Sequence, residues 1–307
     1  MTGEQFGLFV ASSLRLSMPL ALAATGEFVS EKAGVLNLSL EGMMLGGAFT
    51  GAMVSLVTGA PLLGLVAGVA ASLVIAFFQA VLSVTFRANQ LVVGIGFNIL
   101  VLGVTTFLFR EIRGSGASDL IPGLPIWQIP LLSRVPVIGP ALFEQSSLFY
   151  VGVVLIVATW LLIANTSFGL AVRAVGEDPI AADKAGLDVG RVRYLGVLYA
   201  GGMTGVAGCF LSIADLNTFT EGMTKGAGYL ALASVIFGSW IGWRTVLACI
   251  LFGAATALQF LLPNLGFHVP PALLLMLPYV LALFAVGGLV GNIRTPAALG
   301  LAFFRGR

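Results

Sequence analysis

Charged side chains are scarce. Only 9% of the 307 residues are Asp, Glu, Lys or Arg, thirteen acidic and fifteen basic, against roughly 25% in ordinary soluble domains. So few cannot give a chain of this size a solvated surface, which excludes a soluble fold. With 58% hydrophobic residues and a mean hydropathy of +1.04, the main solvent is lipid. A net charge of +2 is too small to attract nucleic acid. Cysteine is nearly missing as well: Cys209 and Cys249 both lie in apolar runs, which argues against a disulfide framework or a thiolate cluster. The single histidine, His268, has no imidazole partner for a metal site or a Ser/His/Asp arrangement. No bound cofactor or metal is therefore expected, and no catalytic residue. No G-x-x-x-x-G-K-[ST] stretch occurs, so nucleotide-driven work would fall to another chain. Met1 to Gln5 carries Glu4 and no basic cluster, unlike a cleaved signal peptide.

What is present is a series of long apolar runs. A helix needs about 20 apolar residues to span a hydrocarbon core, and the runs fall at about 6–24, 33–57, 61–86, 89–109, 146–164, 192–214, 226–241, 245–262 and 271–290. They are continuous rather than alternating with period two, so helices fit better than a barrel. The expected fold is all-α: one polytopic helix bundle of nine or ten membrane segments, forming a single transmembrane domain over 1–307. The polar stretch 165–191 is expected to be cytoplasmic. Alternation from there puts Lys32, Arg87, Arg173, Lys184, Arg191, Arg193, Arg244, Arg294, Arg305 and Arg307 inside. Arg110, Arg113, Arg134 and Lys225 fall outside, so the positive-inside rule favours this orientation. Nine alternating spans leave Met1 outside. A broken or re-entrant helix in 33–57, which Gly34, Asn37, Gly42, Gly46 and Gly47 would permit, would make ten spans with both ends cytoplasmic. The sequence leaves both open. The segment 110–145, rich in Gly and Pro, reads as an external loop with room for a short surface helix.

Forty glycines are present, many four residues apart: Gly42/Gly46, Gly47/Gly51, Gly64/Gly68, Gly201/Gly205, Gly238/Gly242 and Gly287/Gly291. Such pairs make flat helix faces for close packing within a bundle or along a dimer seam, or a surface that slides.

Charge returns in one place. Phe168 to Arg193 holds eight charged residues in twenty-six. Asp178 followed by Pro179 is an N-cap and first-turn pair, and Gly186 is a natural stop. The helix between them, Pro179 to Ala185, is too short to be stable alone. Either it docks on a partner, presenting Ala181 and Ala185 with Ile180 and Ala182 alongside, or the stretch is a solvated loop with one helical turn.

The run AVGEDPIAADKAGLDV, the earlier EKAGVLNLSLEGMMLGGAF and the later EGMTKGAGYLALASVIFGSW together resemble the permease subunits of bacterial ABC importers. The resemblance is to the branch with ribose-type and branched-chain amino-acid permeases, nearest the second permease of nucleoside importers of the basic membrane protein type. It covers nearly the whole chain, and three motifs in order make it specific at family level. It implies a multi-pass protein of the inner membrane that is not itself an enzyme. The implied partners are an ATPase subunit that uses ATP and Mg, a second permease forming a heterodimer, and an extracytoplasmic solute-binding protein. It also implies that Gly176, Glu177, Asp178, Pro179, Ala181, Ala182, Ala185 and Gly186 form a coupling helix seated in the ATPase.

A polar solute needs polar groups facing the bundle interior. Asn37, Ser39, Glu41, Gln90, Asn98 and Gln259 stand at membrane depth, with Glu41 either facing a cavity or paired with Arg15. The stretch Asp215 to Tyr229, with Asn217, Phe219, Thr220, Glu221 and Thr224, mixes an aromatic face with hydrogen-bonding groups. That would suit a nucleoside, a docking rim for the binding protein, or plain loop chemistry. The expected function is nucleoside import by alternating access. Ribose-like sugars are the runner-up substrates. An ion-coupled secondary transporter is the rival class, for which intramembrane ion sites are few.

Overall fold

Inside lipid, a backbone must satisfy its own polar groups, and the long apolar runs do so as helices. The computed structural model describes residues 3–114, 120–128, 138–264, 270–284 and 295–304. His268, Arg134, Arg294, Arg305, Arg307, Met1 and the pair Gly287/Gly291 lie outside the described residues.

Helix α1 (Gly3–Lys32) is followed by a non-helical segment over 33–39, then α2 (Leu40–Thr58), α3 (Pro61–Ala80) and α4 (Gln90–Arg113). A two-stranded antiparallel ribbon, β1 (Ile126–Gln128) on β2 (Glu144–Ser146), and a short helix α5 (Ile138–Phe143) occupy the expected external loop. Then come α6 (Ser147–Asn165), α7 (Ser167–Glu177), α8 (Pro179–Lys184), α9 (Val189–Cys209, continued by a π-helical turn to Asp215), α10 (Ala227–Phe237), α11 (Gly242–Asn264) and α12 (Pro271–Phe284). Seven of these helices, with their continuations, are long and apolar enough to cross a membrane, and α10 and α12 are shorter apolar helices. Alternation through these nine elements gives the nine-span arrangement. The break foreseen in 33–57 exists, but it lies ahead of α2, which is itself continuous. It adds no further helix among the described residues. The first span also runs past its expected end at 24, carrying Glu27 and Glu31 into the buried core.

Packing repeats itself. Helix α1 lies against α9, α10 and α11, while α9 lies against α1, α2 and α3; α2 packs on α3 as α10 packs on α11. The sequence carries the same echo: Asn37-x-x-x-Glu41-Gly42-Met43 recurs as Asn217-x-x-x-Glu221-Gly222-Met223. Because α1 and α9 are the first and sixth alternating spans, they run in opposite directions, so the two halves form an inverted repeat. At the crossing of α2, α3 and α9 the glycine pairs serve close packing. A Cβ on Gly47 would stand 3.1 Å from the Gly205 backbone, and one on Gly64 only 2.5 Å from the Gly51 carbonyl.

Candidate functional site

Two non-helical stretches enter the bundle from opposite ends and meet. Beyond α1, Gly34 (φ 85°) reverses the chain. The non-helical residues that follow are buried, so their backbone groups need partners. Side chains supply them: Leu36 N–H donates to Gln90 Oε1 at 2.8 Å and Asn37 N–H to Glu27 Oε1 at 2.9 Å. Ser30 Oγ donates to the Val35 carbonyl at 2.9 Å and Asn98 Nδ2 to that of Leu38 at 2.8 Å. The Asn37 side chain accepts from the Ser39 hydroxyl at 2.6 Å. From Gln90 to Asn98, α4 rises about 12 Å, so the segment climbs from one end of α4 toward mid-membrane.

The second stretch, 216–226, descends from the other end. Phe219 is buried there, edge-on to Phe49 and Phe109 with ring centroids 5.3 and 5.1 Å away. The stretches join at Glu41. Its Oε1 accepts from the Thr224 hydroxyl at 2.6 Å and Gly226 N–H at 2.8 Å, and its Oε2 from Gly228 N–H at 2.8 Å. These amides open α10, whose first-turn donors have no partner within the helix. A Cβ on Gly228 would overlap the Glu41 backbone, so the N-termini of α2 and α10 abut. Asn98 closes the junction, accepting from Gly42 N–H and donating to the Tyr229 hydroxyl, both at 2.8 Å.

Of the expected path residues, Glu41, Asn98 and Thr224 therefore come together, with Asn37 buried just behind them. Asn217, Phe219 and Thr220 do not join them. Asn217 sits in a left-handed turn (φ 48°) where its carbonyl accepts from Ile121 N–H, Thr220 is exposed, and the Phe219 ring is enclosed and cannot stack on a solute. Nor does Arg15 reach Glu41; it pairs with Asp215 at 3.1 Å. Two tyrosines beside the junction are accessible, Tyr229 and Tyr279, 43% and 45% exposed. Tyr279 donates its hydroxyl to the Lys225 carbonyl, beside the same junction. Residue-by-residue reading missed both; the repeated Asn-x-x-x-Glu-Gly-Met motif, ending near Tyr229, was the signal that marks the place. Also missed were Glu27 and Glu31, fully buried on α1, the latter accepting from the Trp240 indole.

Beside the junction, α4 is the least buried of the long apolar helices. Gly96 and Gly103 have open space where a Cβ would stand, and a depression of ≈ 640 Å³ runs along Ile99, Leu102, Gly103 and Thr106 to Arg110. At one end of the depression Arg110 donates to both Glu221 oxygens at 2.7 Å. That hydrogen bond holds the Glu221 carboxyl below the usual carboxylate range.

The charged segment folds around α8. Asp178 Oδ1 accepts from Ile180 and Ala181 N–H at 3.0 and 2.9 Å, and Gly186 (φ 89°) ends the turn, as local chemistry foretold. The helix is Pro179–Lys184, with Ala185 as its C-cap. Ile180, Ala181, Lys184 and Ala185 face outward, whereas Ala182 turns inward and packs into the core. The expectation that Ala182 belongs to an outer contact face is corrected accordingly. Gly176, before α8, is pressed so closely on the Lys32 carbonyl that a Cβ would overlap it.

Comparison with known proteins agrees with this architecture. The guanosine ABC transporter permease protein NupQ of Bacillus subtilis is 36% identical, covering 98% of this chain and 97% of its own length. The nucleoside ABC transporter permease protein NupC of Lactococcus lactis subsp. cremoris is 32% identical, covering 98% of each chain. TsgC13 of Haloferax volcanii, named provisionally as a glucose ABC transporter permease protein, is 37% identical over 85% of this chain and 79% of its own. No solved structure matches. The family described as branched-chain amino acid transport system / permease component matches residues 9–286. A chain whose described residues hold seven helices long and apolar enough to cross a membrane and two shorter apolar ones, matched by that family over most of its length, thus belongs to that permease family, as a multi-pass protein of the inner membrane.

Proposed function

We propose that this chain is one of two permease subunits of an ATP-driven importer, and that its cargo is a nucleoside. The observation that carries the reading is the pair of exposed phenols, Tyr229 and Tyr279, anchored at the Glu41 junction beside the open face of α4. Polar groups at membrane depth are costly unless they face a protein cavity, and discontinuous stretches meeting at an inverted repeat are where transporters place their substrates. Two accessible aromatic rings with hydrogen-bonding groups behind them suit a flat base with a hydroxyl-rich sugar. The relatives named for guanosine and nucleosides support the same cargo.

The open glycines of α4 favour the close approach of another helix, so this face is where a second, non-identical permease would stand, with the path between the two. ATP, with Mg, is bound and hydrolysed by a partner ATPase that seats on α8. Closure of that partner would move α8 and, through the contact of Gly176 on Lys32, the start of the 33–39 segment, shifting the population between inward- and outward-open states. A solute-binding protein delivers cargo at the outer end. A sugar cargo is the second reading, favoured by the similarity to TsgC13.

The test is uptake into proteoliposomes containing this chain, a second permease, the ATPase and the binding protein. ATP-dependent uptake of labelled guanosine in preference to glucose is expected. Tyr229→Ala and Tyr279→Ala should each lower it about tenfold, in line with the loss of a base–aromatic stack. Preference for glucose would establish the sugar reading, and uptake by the chain alone on a proton gradient would refute ATP coupling.

A further inference from the structure

A second element stands against α8 at the inner end of the bundle. The segment 295–304 has no helix of its own, yet it is tied to two places. Ala298 N–H donates to the Gly176 carbonyl at 2.9 Å, in the turn before α8, and Gly300 N–H to the Gly34 carbonyl at 3.2 Å, where the 33–39 segment begins. The buried Arg193 donates to the Leu301 carbonyl at 2.8 Å, and the Arg87 guanidinium lies 4.4 Å from the Phe304 ring centroid. Backbone groups thus fix the segment, and Leu299 and Phe303 pack against the core, which leaves Leu301 and most of Phe304 uncovered.

Those side chains point outward. Leu301 is 60% and Phe304 64% exposed, and across a groove of ≈ 310 Å³ Ile180 of α8 is 56% exposed. The groove is apolar along its floor, with Glu177 and Asp178 exposed at its rim. Carboxyl groups at the rim place it at the aqueous end of the bundle, outside hydrocarbon. Apolar side chains held there in fixed positions mark a protein contact.

We propose that segment 295–304 and α8 form a single seat for the ATPase, the groove receiving an apolar side chain of that partner with a neighbouring basic residue facing Glu177 and Asp178. The inference rests on the reading of α8 as the coupling helix and extends it: the groove is continuous with the outward face of α8, so the partner that covers one covers the other. A partner seated on both elements holds the Gly176 and Gly34 carbonyls through one strap, and so grips the coupling turn and the start of the 33–39 segment together.

The experiment uses the full chain with the ATPase that supports its ATP-driven uptake. ATPase affinity is measured in nanodiscs for Leu301→Glu, Ala302→Arg and Ala181→Arg, with thermal unfolding as the control for folding. All three should bind about tenfold more weakly or worse, as expected when a charge enters a packed apolar contact. If Ala181→Arg alone weakens binding, the seat is α8 without the tail and this inference is overturned while the proposed function stands. If Ala181→Arg binds as wild type, the coupling-helix reading fails and this one with it. Should a tail variant fold poorly, Ala302→Cys decides, since Cys209 and Cys249 are buried. Protection of that thiol from a water-soluble maleimide by the ATPase is expected, and labelling unchanged by the ATPase overturns the proposal.

Discussion

Glu41→Ala removes the acceptor for three donors at once: the Thr224 hydroxyl and the amides of Gly226 and Gly228. A buried donor left without a partner costs about 1–3 kcal/mol. Glu41 is half-buried, so water entering the vacated space offsets part of that cost, and the net loss should be about 2–5 kcal/mol. For a chain of this size that corresponds to a fall in Tm of roughly 5–10 °C. Glu41→Gln keeps one carbonyl oxygen and should fall between the alanine variant and wild type. The assay is thermal unfolding in nanodiscs together with hydrogen exchange at the α10 N-terminus, where Gly226 and Gly228 amides should exchange faster. Glu221 provides the control, because it occupies the equivalent place in the repeated motif but makes an exposed pair with Arg110. Glu221→Ala should lower Tm far less than Glu41→Ala does. If Glu41→Ala left Tm and exchange unchanged, the junction could not be what joins α2 to α10.

Other outcomes follow from the same geometry. Ala181→Arg should insert and fold normally but lose ATP-coupled uptake, whereas Ala182→Arg should give little folded protein by size-exclusion chromatography, because Ala182 packs into the core. Gly208→Ala should destabilise the chain by about 1–3 kcal/mol, read as a lowered Tm, since its Cβ would overlap the Met44 carbonyl. Gly103→Ala should leave the isolated chain's Tm intact yet weaken association with the second permease, measured by cross-linking, because open space surrounds it within this chain. The Arg110–Glu221 pair should persist below the ordinary carboxylate range. Any stability it contributes is present above the unfolded-state pKa of Glu221 and disappears as pH falls through its lowered folded-state value. Wild type and Glu221→Gln compared by Tm should therefore converge at acid pH.

The spans were legible because charge is so sparse that apolar runs read directly as helices. The ends of α8 were legible because an Asp-Pro start and a left-handed Gly stop are local chemistry. The length of α1 was not, since Glu27 and Glu31 read as the end of a span. In the core they meet partners beyond their own helix, the Asn37 amide after the chain reverses and the Trp240 indole far along the sequence. The inward turn of Ala182 escaped for a related reason: a helix of two turns has no periodicity long enough to show which side the protein covers. Phe219 was taken for an accessible ring on composition alone, and only the approach of Phe49 and Phe109 encloses it.

The stretch over 33–39 also bears on how the chain is made. Its backbone is satisfied in part by Gln90 and Asn98, side chains that leave the ribosome more than fifty residues after it. At about 5–20 residues per second, several seconds pass in which that stretch exists without those partners. Lipid offers no substitute, so during synthesis it must remain hydrated or in the translocon's aqueous interior. A variant lacking Gln90 or Asn98 should therefore be impaired already at insertion, before any question of transport arises.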